Sequence, residues 1–158
     1  MLNSALHWTN LTIPDLLAPP TDPANWQLYT AGGAQAALCR DGTALRLDIT
    51  AIDGFSDHLK WFQRGIDLKE GHTYTLRFRA RADTLRDMRV EACLDQPDYH
   101  NVGLKRIAPL LPQWQVFSET FVATQVLAND TDVPRFIVGD HPGKIWLTDV
   151  SLVEVKSK

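Results

Sequence analysis

A chain of 158 residues is long enough to bury a core without disulfides or metals, and 44% apolar with 22% charged content is ordinary for a globular domain. A net charge of -3 argues against nucleic acid as the main partner, because phosphate contacts need a basic surface. No run approaches the roughly 18 apolar residues of a membrane-spanning helix. The opening stretch, MLNSALHWTNLTIPDLL, lacks a basic n-region, a continuous apolar run and a small-residue cleavage site, so no export signal is expected in it.

Taken in order, residues 1–25 carry Pro14, Pro19, Pro20 and Pro23, which forbid a long helix or a central strand. Leu11 to Ile13 is the best short strand there. Trp26 to Tyr29 reads as the first strand of the core, broken by Gly32-Gly33, and Ala36 to Cys39 as the next. Arg40-Asp41-Gly42-Thr43 then turns the chain, Asp-Gly being a strong hairpin signal. In Ala44 to Thr50, Leu45, Leu47 and Ile49 alternate with Arg46, Asp48 and Thr50, the period of a strand with one apolar and one wet face. After a loop over Ala51 to Ser56, the stretch Asp57 to Asp83 holds two extended halves. Tyr74, Leu76, Phe78 and Ala80 alternate with Thr75, Arg77, Arg79 and Arg81 in the second half. Lys69-Glu70-Gly71-His72 supplies a glycine for the reversal, so the two halves are expected to pair as a hairpin.

Thr84 to Asp87 is a turn, and Met88 to Asp95 sets Met88, Val90, Ala92 and Leu94 against Arg89, Glu91, Cys93 and Asp95. A polar loop over Gln96 to Asn101 leads to an extended Val102 to Leu111. Trp114 to Thr124, Pro134 to Gly139 and Ile145 to Val155 close the series. Trp26, Trp114 and Trp146 each sit within an apolar alternation and are assigned to the core; Trp8 is undecided. Nine or ten short strands with no periodic helix imply an all-β sandwich or jelly roll.

No nucleophile elbow, phosphate loop, dinucleotide fingerprint or zinc spacing is present, and the histidines never come as HxxxH or HxH. Cys39 and Cys93 alone make no disulfide framework. What remains suits sugar: pyranose CH faces stack on aromatic rings while the hydroxyls need polar partners. His58, Lys60, Trp61 and Gln63 lie on one extended stretch, and Tyr99, His100 and Asn101 at the end of another. Trp61 and Phe62 are neighbours, so one points inward and the other outward, and the alternation does not say which.

Three stretches resemble, in order, the carbohydrate-binding modules of families four and nine. They are Gln63, Gly65, Ile66, Leu68, Gly71, Tyr74, Thr75, Leu76, Phe78, Ala80 and Ala82; then Pro112, Trp114, Phe117, Thr120 and Phe121; then Phe136 and Gly139 with Gly143 to Leu152. The resemblance implies a galactose-binding-domain-like jelly roll as a single domain over 1–158, with 1–25 wrapping a sandwich of 26–155. It implies non-catalytic, groove-type binding of a polysaccharide or oligosaccharide, without nucleic acid or membrane. It also implies attachment to a catalytic domain, outside the cell where the parent is secreted. The groove-lining positions it carries over are Asp57, Lys60 and the Tyr99 region. Asp57 stands where such modules have an aromatic residue, so Trp61 or Phe62 must take over stacking.

A structural Ca²⁺ is also implied, held between the N-terminal segment and the last strand, with Asp149 as its ligand and Asp15 or Asp22 as the partner acid. Two rival readings remain. One is a small jelly-roll polysaccharide lyase using Tyr99, His100, Lys60 and Arg106. The other is an interaction sandwich without a sugar site.

Overall fold

In the computed structural model, which describes residues 13–156, ten strands form two five-stranded antiparallel sheets packed face to face. The strands are β1 (Gln27–Thr30), β2 (Gln35–Asp41), β3 (Ala44–Ala51), β4 (Leu59–Phe62), β5 (Thr73–Ala82), β6 (Arg86–Leu94), β7 (Asn101–Leu110), β8 (Gln115–Val122), β9 (Thr131–Ile137) and β10 (Gly143–Val155). Sheet A runs β1-β4-β9-β6-β7, and sheet B runs β2-β3-β10-β5-β8. Two 3-10 turns, Pro23–Asn25 and Ser56–His58, are the only helical pieces among the described residues. The all-β sandwich expected from the strand spacing is the fold observed.

Period-two alternation is what closes the sandwich. On β5, Tyr74, Leu76, Phe78, Ala80 and Ala82 all point inward, and Leu45, Leu47 and Ile49 do so on β3. From sheet A they meet Leu59 and Trp61 of β4, Phe136 of β9, Met88 and Val90 of β6 and Leu104 of β7. Burying each such leucine- or phenylalanine-sized side chain is worth about 1.5–3 kcal/mol. Phe136 is the hub, with Trp61 and Phe78 both at 5.3 Å between ring centroids and Trp26 at 6.1 Å.

Strand β10 inserts one extra residue between Thr148 and Ser151, with Asp149 at φ 53. Such a bulge reverses the side-chain phase. It lets Ile145 and Leu147 before it and Val150 and Leu152 after it all face the core. The Asp-Gly turn joins β2 to β3 as expected, with Asp41 opposite Ala44 and Gly42 at φ 63. Gly139 is required for a different reason. A Cβ there would lie 2.5 Å from the Ser56 carbonyl oxygen, which the Gly139 N–H itself approaches at 3.0 Å.

Three expectations are corrected. The halves of Asp57 to Asp83 do not form a hairpin: β4 pairs with β1 and β9 in sheet A, whereas β5 pairs with β10 and β8 in sheet B. Both halves carry core side chains, and two apolar faces can shield each other only from opposite layers. Gly71 therefore turns a crossover between sheets. Second, Trp146 and Trp114 are half-buried on the outer side of sheet B, because Ile145 and Leu147 hold the inward phase. Arg81 lies over both rings, with its Cζ 3.9 Å from Trp146 and 5.6 Å from Trp114. Of the three tryptophans assigned to the core, Trp26 alone is buried there. Third, Gln63 is a structural lock and not a ligand-facing residue. Its Oε1 accepts from Ala18 N (2.9 Å) and its Nε2 donates to Ala18 O (3.0 Å), pinning the proline-rich segment. Asp15 Oδ1, accepting from Leu17 N and Leu152 N, ties the same segment to β10. Trp8 and most of the short strand expected at Leu11 to Ile13 lie outside the described residues.

Candidate functional site

The outward phase of sheet A assembles two rows of side chains running across the strands. Register places Tyr29 beside Lys60, Lys60 beside Ile137, Ile137 beside Arg89 and Arg89 beside Ile107. The next row is Gln27, Phe62, Arg135, Glu91 and Lys105. Each of these strands turns its apolar residues to the core, so its alternate positions are delivered to the other face. At the β1-β4-β9 side the rows, with the loop after β6, enclose an open groove of about 470 Å³. Gln27, Tyr29, Lys60, Phe62, Arg135 and Tyr99 line it, together with Arg64, Asp95 and Asp132.

The groove is aromatic and cationic. Tyr29 is 46% exposed and Phe62 half-buried, the kind of flat apolar surface on which a ring can stack. Lys60 Nζ lies 4.9 Å from the Tyr29 ring centroid, and burial together with the neighbouring Arg135 pushes its pKa down. Arg64 is paired with Asp95, and Arg89 with Glu91 and Asp57. Among the described residues Lys60 and Arg135 form no ion pair.

At the floor sits Asp132, 4% exposed, with Oδ1 lacking a hydrogen-bond partner among the described residues. Burial first, and then the adjacent Asp95 carboxyl, push its pKa up to about 8. It is therefore mostly a neutral acid at pH 7, able to donate as well as accept.

The candidate ligand residues divide. Lys60 and Tyr99 line the groove, Tyr99 52% exposed and held by a turn in which its N–H donates to Gln96 O. Trp61 is excluded: it is fully buried between Trp26 and Phe136, and the outward place on β4 belongs to Phe62. Gln63 is excluded by its bonds to Ala18. Asp57 and His58 sit at the end of the sheet, Asp57 accepting from Arg89 Nη2 (2.8 Å) and His58 Nδ1 lying 2.6 Å from Asp53 Oδ2.

His100 spends both ring nitrogens inside its loop, on Asp98 Oδ1 (2.7 Å) and Gln125 O (2.8 Å). Asn101 spends its amide on Leu104 O and Gly103 N. Of the lyase set, Arg106 pairs with Glu119 of sheet B and His100 is occupied, so the four residues are not gathered at one point. Tyr29, Gln27, Arg64, Asp95, Asp132 and Arg135 were not picked out from the sequence. The signal for Tyr29 was there: with Trp26 inward, residues 27 and 29 are the outward ones.

Asp149, expected as a calcium ligand, lies on the outer side of sheet B, where its Oδ2 accepts from Arg79 Nη1 at 3.3 Å. The Asp15 carboxylate is occupied by backbone N–H groups, and no three histidine, cysteine or acidic side chains gather among the described residues. Both carboxylates are thus already engaged within the chain, where a hard cation would take six to eight oxygens. Cys39 lies in sheet B and Cys93 in sheet A, and both are free thiols.

The strands define a jelly-roll sandwich with an open groove on the outer face of one sheet. No protein-family model and no curated protein matches the chain. Solved structures do. One reported as "CBM4 structure and function" superposes with a TM-score of 0.73 over 89% of this chain and 93% of its own, at 24% identity. The N-terminal cellulose-binding domain of Cellulomonas fimi β-1,4-glucanase C gives 0.66 over 88% and 94%, at 23% identity. A family 11 carbohydrate-binding module from Clostridium thermocellum, in complex with a β-1,3-1,4-mixed-linked tetrasaccharide, gives 0.59 over 91% and 97%, at 13% identity. The chain thus has the fold of these carbohydrate-binding modules.

Proposed function

We propose that this chain is a non-catalytic carbohydrate-binding module that lays a glycan across β1, β4 and β9. The observation that carries the reading is the groove itself. Tyr29 and Phe62 present aromatic surface next to Gln27, Lys60 and Arg135, and the core uses none of these side chains as its filling. Sugar faces stack on the rings while the amide, ammonium and guanidinium groups bind hydroxyl oxygens. The likeness in fold to carbohydrate-binding modules, one of them a domain of a β-1,4-glucanase, supports the same role. The gain for an attached enzyme, acting outside the cell, is effective concentration on its polymer.

The arrangement does not favour hydrolysis. Paired carboxylates that cleave glycosidic bonds flank the scissile bond about 5–5.5 Å or 6.5–9.5 Å apart, whereas the two carboxyl groups of the groove adjoin each other, Asp95 pushing the pKa of Asp132 up, and Asp95 is already paired with Arg64. Affinity electrophoresis of the chain through gels containing xylan, β-glucan, mannan, pectin or alginate tests the reading. Retardation by at least one polymer, with no shortening of that polymer, is expected. Free migration in every gel overturns it, and depolymerisation would replace it with a catalytic role.

A further inference from the structure

Charge is distributed unevenly over this molecule. The whole chain carries a net -3, yet the ionisable side chains lining the groove are Lys60, Arg64 and Arg135 against Asp95 and Asp132. With Asp132 retaining its proton to about pH 8, the balance at pH 7 is three cations to one anion. Arg64 is matched to Asp95. That leaves Lys60 and Arg135, on the adjacent strands β4 and β9, as two cations facing the groove with no ion-pair partner among the described residues. Lys60 is already strained electrostatically, burial and Arg135 together working against its charge. Lys60 and Arg135 stand at diagonal positions of neighbouring strands, and although Asp57 and Glu91 offset part of the repulsion on Lys60, an anion bound near both would relieve it further.

We infer that the groove selects an acidic glycan, seating the carboxylate of a uronic acid residue between Arg135 and Lys60 while that sugar's ring lies on Tyr29 or Phe62. This rests on the binding-module reading and narrows it to polyuronates or uronate-substituted chains. Arg135 offers the planar fork that a carboxylate accepts bidentately, and Lys60 the compact point charge beside it. Neutral glycans gain nothing from the two cations and leave them uncompensated.

The test compares three acidic polymers, polygalacturonate, alginate and glucuronoxylan, each with its carboxyl-reduced form, in which the acid is a primary alcohol on the same backbone. Dextran sulfate serves as an unshaped polyanion and neutral β-glucan as a further control. Calorimetry at pH 7 is expected to show at least one acidic polymer bound roughly tenfold or more above its reduced form, with affinity falling as salt rises. Arg135→Gln and Lys60→Met should each erode that preference, and Tyr29→Ala should weaken both forms alike. Equal binding of acidic and reduced forms, or equal binding of dextran sulfate, overturns the inference and leaves the module reading standing. No binding to any acidic, reduced or neutral polymer overturns both.

Discussion

The outer faces of the two sheets use the same side-chain types to opposite ends. On sheet B, Arg81 is stacked on Trp146 and lies over Trp114, Arg79 lies 5.4 Å from Trp114 and pairs with Asp149, and Trp146 Nε1 donates to Asp41 Oδ2 at 2.9 Å. Arg46 adds Asp41 and Asp48 to the same patch. These aromatics and arginines are matched to one another, although Arg77 and Lys144 on the same face form no ion pair among the described residues. On sheet A, Tyr29 and Phe62 stand beside Lys60 and Arg135 over an open groove, and neither cation forms an ion pair among the described residues, although Glu91 lies opposite Arg135 in the sheet. The presence of tryptophan and arginine on a strand therefore says little about binding. Whether their interactions are already satisfied within the chain is what separates a structural face from a receptive one.

That contrast can be broken most sharply with single aromatic truncations. Tyr29→Ala or Phe62→Ala should cost about 2 kcal/mol or more of binding, roughly 30-fold, as central aromatic anchors do. Urea midpoints should shift little, since neither ring belongs to the core cluster. A large drop in stability with binding retained would move these rings to the structural side. Trp146→Ala should do the reverse, leaving glycan affinity unchanged while lowering stability by about 1–2 kcal/mol through the lost cation-π contact and hydrogen bond. Loss of binding in that variant would make sheet B a second receptive face.

A smaller effect sharpens the comparison at the floor of the groove. The folded-state pKa of Asp132 is raised from 3.8 to about 8, so the folded chain keeps a proton that the unfolded chain has lost between those values. Stability then falls as pH climbs through that window, by at most about 1.4 kcal/mol for each unit of pH. Asp132→Asn removes this dependence, and its stability advantage over the parent should grow between pH 5 and pH 8.5 in urea titrations. An advantage that stays constant across that range would mean that Asp132 titrates as an ordinary carboxylate. The smallest effect is expected from calcium. Because Asp149 offers one carboxylate already bonded to Arg79, melting temperatures with calcium and with chelator should coincide; a rise of several degrees with calcium would reveal a site there.

Much of the architecture was legible because it follows from period-two alternation, which is local. Strands β3, β5 and β6 were readable from Leu45-Leu47-Ile49, Tyr74-Leu76-Phe78 and Met88-Val90-Ala92, and the Asp41-Gly42 turn from its backbone chemistry. Alternation also says that adjacent residues face opposite ways. It could not say that Trp61 goes inward and Phe62 outward, because both are large and apolar and the choice depends on Trp26 and Phe136 filling the same space from other strands.

Strand pairing was misjudged for a related reason. Residues 57–83 look like a hairpin from their turn, but pairing is decided by partners far along the chain, here β9 and β10. The site suffered most. Of the residues lining the groove, Lys60 and Tyr99 were singled out in the sequence, while Arg135 and Asp132 on β9 and Tyr29 on β1 were not, since these strands become neighbours of β4 only through sheet order. Composition, net charge and strand periods were thus set by the sequence alone, as properties of single segments. Which side chains share a groove, which carboxyl is buried beside another and which cations lack a partner were decided by the tertiary structure, because all three depend on distances between segments remote in the chain.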